Sequence, residues 1–462
     1  MLTEKYGYEM DDFDLLRFAG CILVIIAYGV LLAHRRSALF GLNILNVFMV
    51  ASATLFGFVF ATVSGQSTPW VTAEHPEVVS YSICGLLAMA GGIYLGWTPT
   101  RDRASLGAEV DPFKSSNHIN EDMGWLTFCA GAAAELALPF VASVRTVSTA
   151  VHCAATLGKI GLCILLVAAI RSGRWSRFVS AVVMFALLSV VGSLASGFSF
   201  VRLKTVFPLL VIWLALSGLT LPNILRLCFV IPAVAAGMFS AGAAWFETRQ
   251  MIRDGLLAGL PLMEQANTFF AEYLKHLSVP TAESVMQSIM TRVDMTNILA
   301  AQVRYQPAVE PYARGDTLWS VLYTFVPRLL WADKPVTAGG SAFVARFTGL
   351  RWGGETSVGL PYPFELYANG GPVLVVVGLG VIGYVCGRME MKMAGPQDNL
   401  GGFWALAIAT ATLTEGGERM DTVLPALVAS ALTVYALGML VERFRGGAVG
   451  GASLAHRCKR LV

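Results

Sequence analysis

Charged residues are scarce in this chain of 462 residues. Only 14% are Asp, Glu, Lys or Arg, while 55% are hydrophobic; soluble domains carry about 25% charged residues. This deficit excludes an ordinary soluble protein and indicates a chain that crosses a membrane several times. The formal net charge of +3 is too small to indicate nucleic acid as a partner.

The sequence also lacks the motifs of several common enzyme classes. It has no GxxxxGK[ST] phosphate loop, no GxSxG elbow, no HExxH motif and no clustered His or Cys ligands. Seven of the eight cysteines fall inside apolar runs and none has a metal-ligand spacing. ATP-driven transport and zinc proteolysis are therefore not indicated. We expect no metal site, no disulfide framework and no cofactor.

Long apolar runs make up most of the chain and predict an all-α, polytopic membrane protein. A helix needs about 20 apolar residues to span the hydrocarbon core, and about eleven runs approach that length. They lie at 15–33, 41–63, 79–98, 124–143, 147–170, 178–199, 205–222, 224–244, 366–387, 402–414 and 422–440. Lys and Arg concentrate in alternate short connections, which predicts a periplasmic N-terminus and a cytoplasmic C-terminus. The acidic N-terminus lacks the basic region of a signal peptide, so the first run is expected to remain as a span.

One long polar interval, residues 245–362, interrupts the apolar runs and is predicted to lie outside the cytoplasm. We therefore divide the chain into N-terminal membrane helices (1–244), this large loop (245–362), and C-terminal membrane helices with a basic tail (363–462). In the loop, 247–276 is amphipathic, and 281–304 has the pattern of a helix capped by Thr281. The loop has too little apolar periodicity for its own core, so it should pack on the outer ends of the helices.

Basic side chains collect on the predicted outer face. Guanidinium groups suit bidentate recognition of phosphate, such as that of a lipid phosphate or pyrophosphate. For any single arginine, solvation or an ion pair is the better explanation of its presence, but the set favours anion binding. The residues are Arg202, Arg249, Arg253, Arg292, Arg304, Arg314, Arg328, Lys334 and Arg346. Arg202 lies outside against the charge rule, which reflects either snorkelling of its side chain or a bound anion.

Carboxylates and aromatic rings crowd the same interval. Glycosyl transfer with inversion needs a general base for the acceptor hydroxyl, and one well-placed Asp or Glu serves. Aromatic faces suit sugar rings and the membrane interface about equally. The acids are Asp294, Asp316, Asp333, Glu355, Glu365 and those of the turn 415–421. Their spacing alone does not choose the base.

Glu135 and Lys159 are charged residues that lie deep within predicted spans. They sit on consecutive spans joined by a tight turn, each two to three helical turns deep, so they are close enough in depth to pair. Charges inside a membrane are candidates for function by default. A structural clamp between two helices is the plainer interpretation, because no further acids continue a pathway along other spans.

The loop and the span that follows it resemble the Wzy-like polymerases of oligosaccharide repeat units, which act in O-antigen and exopolysaccharide synthesis. The resemblance rests on three stretches of residues 190–390. They are Gly315-Asp-Thr-Leu318, the run Phe325-Val-Pro-Arg328-Leu-Leu-Trp331-Ala-Asp333-Lys334-Pro335, and Glu365-Leu-Tyr-Ala-Asn-Gly370-Gly371. Arg292-Val-Asp294 and Ser196-Gly-Phe-Ser-Phe-Val-Arg202 add to it.

The resemblance implies a glycosyltransferase of the GT-C type in a bacterial inner membrane. Such enzymes polymerise polyprenyl-pyrophosphate-linked oligosaccharides at the outer leaflet and need neither a nucleotide sugar nor a metal. By the same resemblance, Arg202 and Arg328 would hold the pyrophosphate, supported by Arg292 and Lys334. Asp294 or Glu365 would be the base, with Glu355 next, and Asp333, Trp331 and Tyr367 would contact sugar. A flippase and a chain-length regulator are the implied protein partners, beside membrane lipid.

Three other functions fit the same sequence, and one of them is a non-catalytic scaffold in a glycan assembly complex. A ligase that moves a finished glycan to another acceptor would use the same donor and similar arginines. A transporter or lipid flippase would instead depend on Glu135 and Lys159, with the outer loop as a gate.

Overall fold

The protein is described here from a computed structural model. It describes residues 12–33, 76–97, 121–141, 145–196, 262–276, 295–324, 340–350 and 360–394, with shorter groups in 47–62 and 420–439 and residues 209, 244, 248, 326 and 331. The described residues contain helices and turns but no strand. Ten helices have defined bounds: α1 (Asp12–Ala33), α2 (Pro76–Gly96), α3 (Glu121–Val141), α4 (Arg145–Ser172), α5 (Ser176–Ser196), α6 (Leu262–His276), α7 (Thr296–Tyr305), α8 (Asp316–Thr324), α9 (Gly340–Thr348) and α10 (Tyr362–Ala394).

Three of these helices are long and apolar enough to cross a membrane. They are α1 over Phe13–Leu31, all of α2, and α10 over Tyr362–Lys392. The prediction of a helical protein with apolar helices long enough to span a membrane is confirmed at this level. Helices α3, α4 and α5 also coincide with predicted spans, while the total of eleven spans and the extent of the loop remain predictions. Runs 205–222, 224–244 and 402–414 lie almost wholly outside the described residues.

Helices α2 and α10 pack side by side through glycines, which allow their backbones to touch. A Cβ atom on Gly92 would lie 2.1 Å from the Gly380 carbonyl oxygen, and one on Gly96 would lie 2.6 Å from that of Tyr384. Small residues permit such close approach between membrane helices. Because successive contacts advance along both helices together, α2 and α10 are parallel. The predicted topology likewise has both spans crossing in the same direction.

Helices α3 and α4 form a second close pair, in the antiparallel sense. Gly131 faces Gly158, and a Cβ atom on Gly161 would lie 2.4 Å from the backbone nitrogen of Phe128. This register puts Glu135 and Lys159 about five residues, or about 7 Å, apart along the axis. Both side chains are half-buried. The two residues therefore lie on adjacent helices within about 7 Å of each other in depth, and their pairing stays a prediction.

The loop elements α7 and α9 pack on the membrane helices without a core of their own. Leu299 of α7 and Phe343 and Phe347 of α9 belong to one buried cluster with Leu86 of α2 and Phe364 of α10. This agrees with the expectation that the loop packs on helix ends. A shared core also explains how short helices remain ordered, since isolated helices of this length are marginal in water.

The prediction of one continuous helix over 281–304 was wrong. Met295 is not helical, and α7 begins only at Thr296 and ends at Tyr305. The Met295 backbone N–H instead donates to the Ala53 carbonyl at 2.9 Å, which ties the loop to the group in 47–62. Residues 281–294, with the predicted Thr281 cap, lie outside the described residues. The amphipathic stretch 247–276 contains α6, where Phe269 and Tyr273 are buried.

Candidate functional site

Helix α10 is broken two turns after it begins. Gly370 and Gly371 have non-helical dihedrals, and Gly371 lies in the left-handed region with φ +66° and ψ −160°. Pro372 follows and starts the long second part of the helix. Proline suits that position because it has no N–H to donate and its φ is already helical. The sequence Gly370-Gly371-Pro372 therefore interrupts an otherwise continuous membrane helix at its loop-facing end.

The loop supplies the hydrogen bonds that this break removes. Pro372 has no N–H for the carbonyl of Ala368, which lies one helical turn before it. The Ala368 carbonyl instead accepts a bond of 2.8 Å from the Ala313 N–H, and the Asn369 carbonyl accepts one of 3.1 Å from the Arg314 N–H. An unsatisfied backbone group is costly in an apolar setting. Residues 313–314 thus stabilise the broken conformation of α10.

Two buried glutamines, one in α7 and one directly after it, also donate hydrogen bonds to the first part of α10. The Gln302 amide nitrogen donates to the Phe364 carbonyl at 2.9 Å and to the Gln306 side-chain oxygen at 3.1 Å. The Gln306 amide nitrogen donates to the Ala368 carbonyl at 3.3 Å. Both side chains are at most 1% exposed. Buried amides with several partners hold a unique arrangement of segments, because each unmade bond would be expensive.

Asn369 joins two of the stretches on which the family resemblance rests. Its Oδ1 atom accepts from the Gly315 N–H at 2.9 Å, and its Nδ2 atom donates to Thr317 Oγ1 at 2.5 Å and to the Glu365 carbonyl at 2.7 Å. Asn369 is 3% exposed. Gly315 has φ +99°, a conformation that favours glycine. The stretches Gly315–Leu318 and Glu365–Gly371 therefore meet in three dimensions.

An open cleft of about 310 Å³ lies beside this junction, where α1, α2 and the second part of α10 begin. It is lined by Arg17 of α1, by Pro76, Glu77, Ser80 and Tyr81 of α2, and by Tyr367 and Pro372 of α10. Glu77 and Ser80 are exposed, whereas Tyr81 and Tyr367 are buried. The cleft thus combines an accessible polar edge with buried phenol groups.

Three tyrosines connect the cleft to the loop. The Tyr367 ring lies 5.4 Å from the Tyr81 ring and 6.0 Å from the Tyr312 ring, with interplanar angles of 33° and 70°. A Cβ atom on Gly371 would lie 2.8 Å from the Tyr312 hydroxyl oxygen. Glycine is therefore required at position 371 for two reasons. Its φ is positive, and the Tyr312 ring leaves no room for a side chain.

The charges around the cleft are partly balanced within the protein. Arg17 forms an ion pair with Asp14 at 2.6 Å, and the two side chains are 17% and 10% exposed. Glu77 forms no ion pair with any described residue. Because Asp14 offsets Arg17, Glu77 supplies the remaining charge of the described lining.

Three of the site residues predicted from the sequence are described. Tyr367 lines the cleft. Glu365 is fully buried, does not line the cleft, and accepts a bond of 2.7 Å from the Met420 backbone N–H. Trp331 is 36% exposed, and its ring lies 5.6 Å from that of Tyr323. The structure thus brings Tyr367 and Glu365 onto one short helical segment but gives them different surroundings.

The remaining predicted site residues lie outside the described residues. These are the acids Asp294, Asp333 and Glu355 and the cations Arg202, Arg292, Arg328 and Lys334. Their roles stay predictions. Among the described residues, no group of three or more His, Cys, Asp or Glu side chains is placed to hold a metal ion.

The sequence interpretation did not single out Arg17, Tyr81 or the two buried glutamines. Arg17 carries the one signal that was available, because an ionisable residue inside an apolar span is a candidate for function. Tyr81 and the glutamines have no such signal, since their importance arises only from contacts with distant segments.

Comparisons with protein-family models, with curated proteins and with solved structures found no match to this chain.

Proposed function

We propose that this protein is a membrane glycosyltransferase that polymerises lipid-pyrophosphate-linked oligosaccharides at the outer face of a bacterial inner membrane. The observation that supports this most is the junction at Asn369. It brings Gly315–Leu318 and Glu365–Gly371, two stretches of the family resemblance, next to a cleft with tyrosine, carboxylate and arginine side chains. Such groups suit the hydroxyls of a saccharide.

In the proposed reaction, an acceptor hydroxyl attacks the anomeric carbon of the donor sugar. The new glycosidic bond forms as the bond from that carbon to the pyrophosphate oxygen breaks, and the pyrophosphate leaves on its lipid. Arg202 and Arg328, with Arg292 and Lys334, would stabilise the charge on the leaving group. A carboxylate would take the hydroxyl proton.

Asp294, Glu365 and Glu355 are the candidates for this base. Glu365 suits a positioning role better, because it is fully buried and its carboxylate accepts the Met420 N–H. A base must reach within hydrogen-bonding distance of the proton that it removes. Asp294 and Glu355 are therefore our first choices for the proton transfer, and Glu365 is expected to orient the segment that carries Tyr367.

Chain-length profiling of lipid-linked and surface glycan, with and without the protein, tests the proposal. We expect deletion to leave single repeat units on lipid, and Arg328→Ala and Arg202→Ala to reproduce that phenotype with normal protein levels. Arg177→Ala is the matched control, because Arg177 is an exposed arginine outside the 245–362 interval and pairs with Asp122 at 2.5 Å. Polymer that still forms but stays on its lipid would indicate a ligase, and an unchanged profile would refute the transferase.

The break in α10 favours a second candidate, a transporter of lipid or lipid-linked sugar. Transporters often use discontinuous membrane helices at their substrate sites. In that case Glu135→Gln and Lys159→Met should abolish function while Arg328→Ala is tolerated. The transferase requires the opposite pattern, so the same glycan profile measured on these variants separates the two.

A further inference from the structure

We propose that the cleft between α1, α2 and the break of α10 binds an uncharged sugar residue of the acceptor glycan. This assignment rests on the proposed function and adds a substrate subsite to it. The described residues that line this cleft are Arg17, Glu77, Ser80, Tyr81 and Tyr367 with two prolines.

The Tyr81 hydroxyl is the first observation that points to a ligand. Tyr81 is only 5% exposed, and its hydroxyl has no hydrogen-bond partner in the described part of the chain. Its electrostatic neighbours are Glu77 and Tyr367, both of which line the same cleft. Buried hydroxyls in proteins are nearly always hydrogen-bonded, so an exception calls for a partner that the described residues do not supply.

The size of the cleft is the second observation. Its volume of about 310 Å³ lies at the lower end of the range for small-molecule pockets, about 300–1,000 Å³. The exposed side chains of Glu77 and Ser80 leave it open to the solvent. These dimensions suit a small compact group at the end of a glycan.

The charge of the described lining favours a sugar over a phosphate. Asp14 offsets Arg17 through their 2.6 Å ion pair, which leaves Glu77 as the net charge of the described lining. A second anion beside Glu77 would be repelled. A sugar hydroxyl instead donates to the Glu77 carboxylate and accepts from the phenol of Tyr81 and from the Arg17 N–H groups that Asp14 does not occupy.

The test is direct binding of a lipid-free saccharide to the full-length protein in lipid nanodiscs. The probe is the repeat unit released by mild acid from the lipid-linked glycan of the producing cells, titrated by calorimetry. We expect Tyr81→Phe to raise Kd about three- to tenfold, because one hydrogen bond is lost. Glu77→Gln should raise it about tenfold, because a bond to a charged group is lost.

A measurement of thermal stability distinguishes binding from folding. Since the Tyr81 hydroxyl has no partner in the described protein, Tyr81→Phe should leave Tm unchanged or raise it, while a structural role would lower it. Tyr94→Phe is the control, because Tyr94 lies on the same helix, is 59% exposed and does not line the cleft. Its Kd should equal that of the native protein.

Three results would overturn the assignment. They are no binding of the saccharide to the native protein, an unchanged Kd in both Tyr81→Phe and Glu77→Gln, or competition by inorganic phosphate or anionic lipid that is lost in Tyr81→Phe. The last result would make the cleft a phosphate or headgroup site. Failure here is distinguishable from failure of the proposed function, because the deletion phenotype is read from chain length and does not depend on this binding assay.

Discussion

Replacing Asn369 with alanine tests whether one side chain holds the loop against the broken helix. The substitution removes three hydrogen bonds, to the Gly315 N–H at 2.9 Å, to Thr317 Oγ1 at 2.5 Å and to the Glu365 carbonyl at 2.7 Å. A typical bond contributes about 0.5–1.5 kcal/mol net, and leaving a buried donor unsatisfied costs about 1–3 kcal/mol. We therefore expect the junction to be weakened by about 3 kcal/mol.

Trypsin cleavage after Arg314 reports this loss locally. Arg314 is exposed, and its backbone N–H donates to the Asn369 carbonyl, so cleavage requires the segment to open. Cleavage of a transiently open state follows its population when closing is fast. A loss of about 3 kcal/mol therefore predicts cleavage on the order of 100-fold faster, because each 1.4 kcal/mol is a factor of ten. The product is identified by mass spectrometry of the full-length protein in detergent.

Two comparisons make the result interpretable. Asn297→Ala is the control, because Asn297 lies in α7 and is half-buried but takes no part in the Asn369 bonds; its cleavage rate should match the native protein. The loss of stability in the double variant Thr317→Val/Asn369→Ala should be about 1 kcal/mol smaller than the sum of the two single losses, because the two side chains share a hydrogen bond. A rate within threefold of the native one in Asn369→Ala would refute the reasoning.

Two glycine substitutions provide further predictions. Gly371→Ala should destabilise the protein by about 2 kcal/mol, because it adds a side chain at φ +66° and 2.8 Å from a tyrosine hydroxyl; an unchanged Tm would contradict this. Gly92→Ala should lower Tm, because the new Cβ atom would lie 2.1 Å from the Gly380 carbonyl oxygen and would push α2 and α10 apart. The expected loss of stability is about 1–3 kcal/mol. Gly91→Ala, which meets nothing within 4 Å, is its control, and equal effects of the two would refute the packing.

The membrane helices were predictable because their signal is local. A span needs a run of apolar residues as long as the hydrocarbon core is thick, and α1, α2 and α10 fall on predicted runs. The break in α10 could also have been predicted, since Gly370, Gly371 and Pro372 all disfavour a continuous helix. What could not be predicted was which groups replace the missing bonds, because Ala313 and Arg314 lie more than fifty residues from their acceptors.

The loop likewise has features that were predictable from the sequence and features that were not. Its amphipathic stretch indicated a helix, and α6 is present, but the predicted helix over 281–304 is interrupted at Met295. Local propensity favoured helix there, while a tertiary bond from Met295 to the Ala53 carbonyl prevailed. Glu365 was selected as a candidate base by its place in a motif. Its burial and its bond to Met420 could only come from the fold.

The amino-acid sequence by itself determined that this is a helical protein with apolar helices of membrane-spanning length, where the three candidate spans lie, and that α2 and α10 run in the same direction. These properties follow from hydrophobic run length and charge placement, which act over neighbouring residues. The tertiary structure alone decided that Asn369 meets Gly315, that Gln302 meets Phe364 across 62 residues, and that Arg17, Tyr81 and Tyr367 surround one cleft. Such contacts depend on side-chain packing and hydrogen bonding between distant segments, and no periodicity in the chain encodes them.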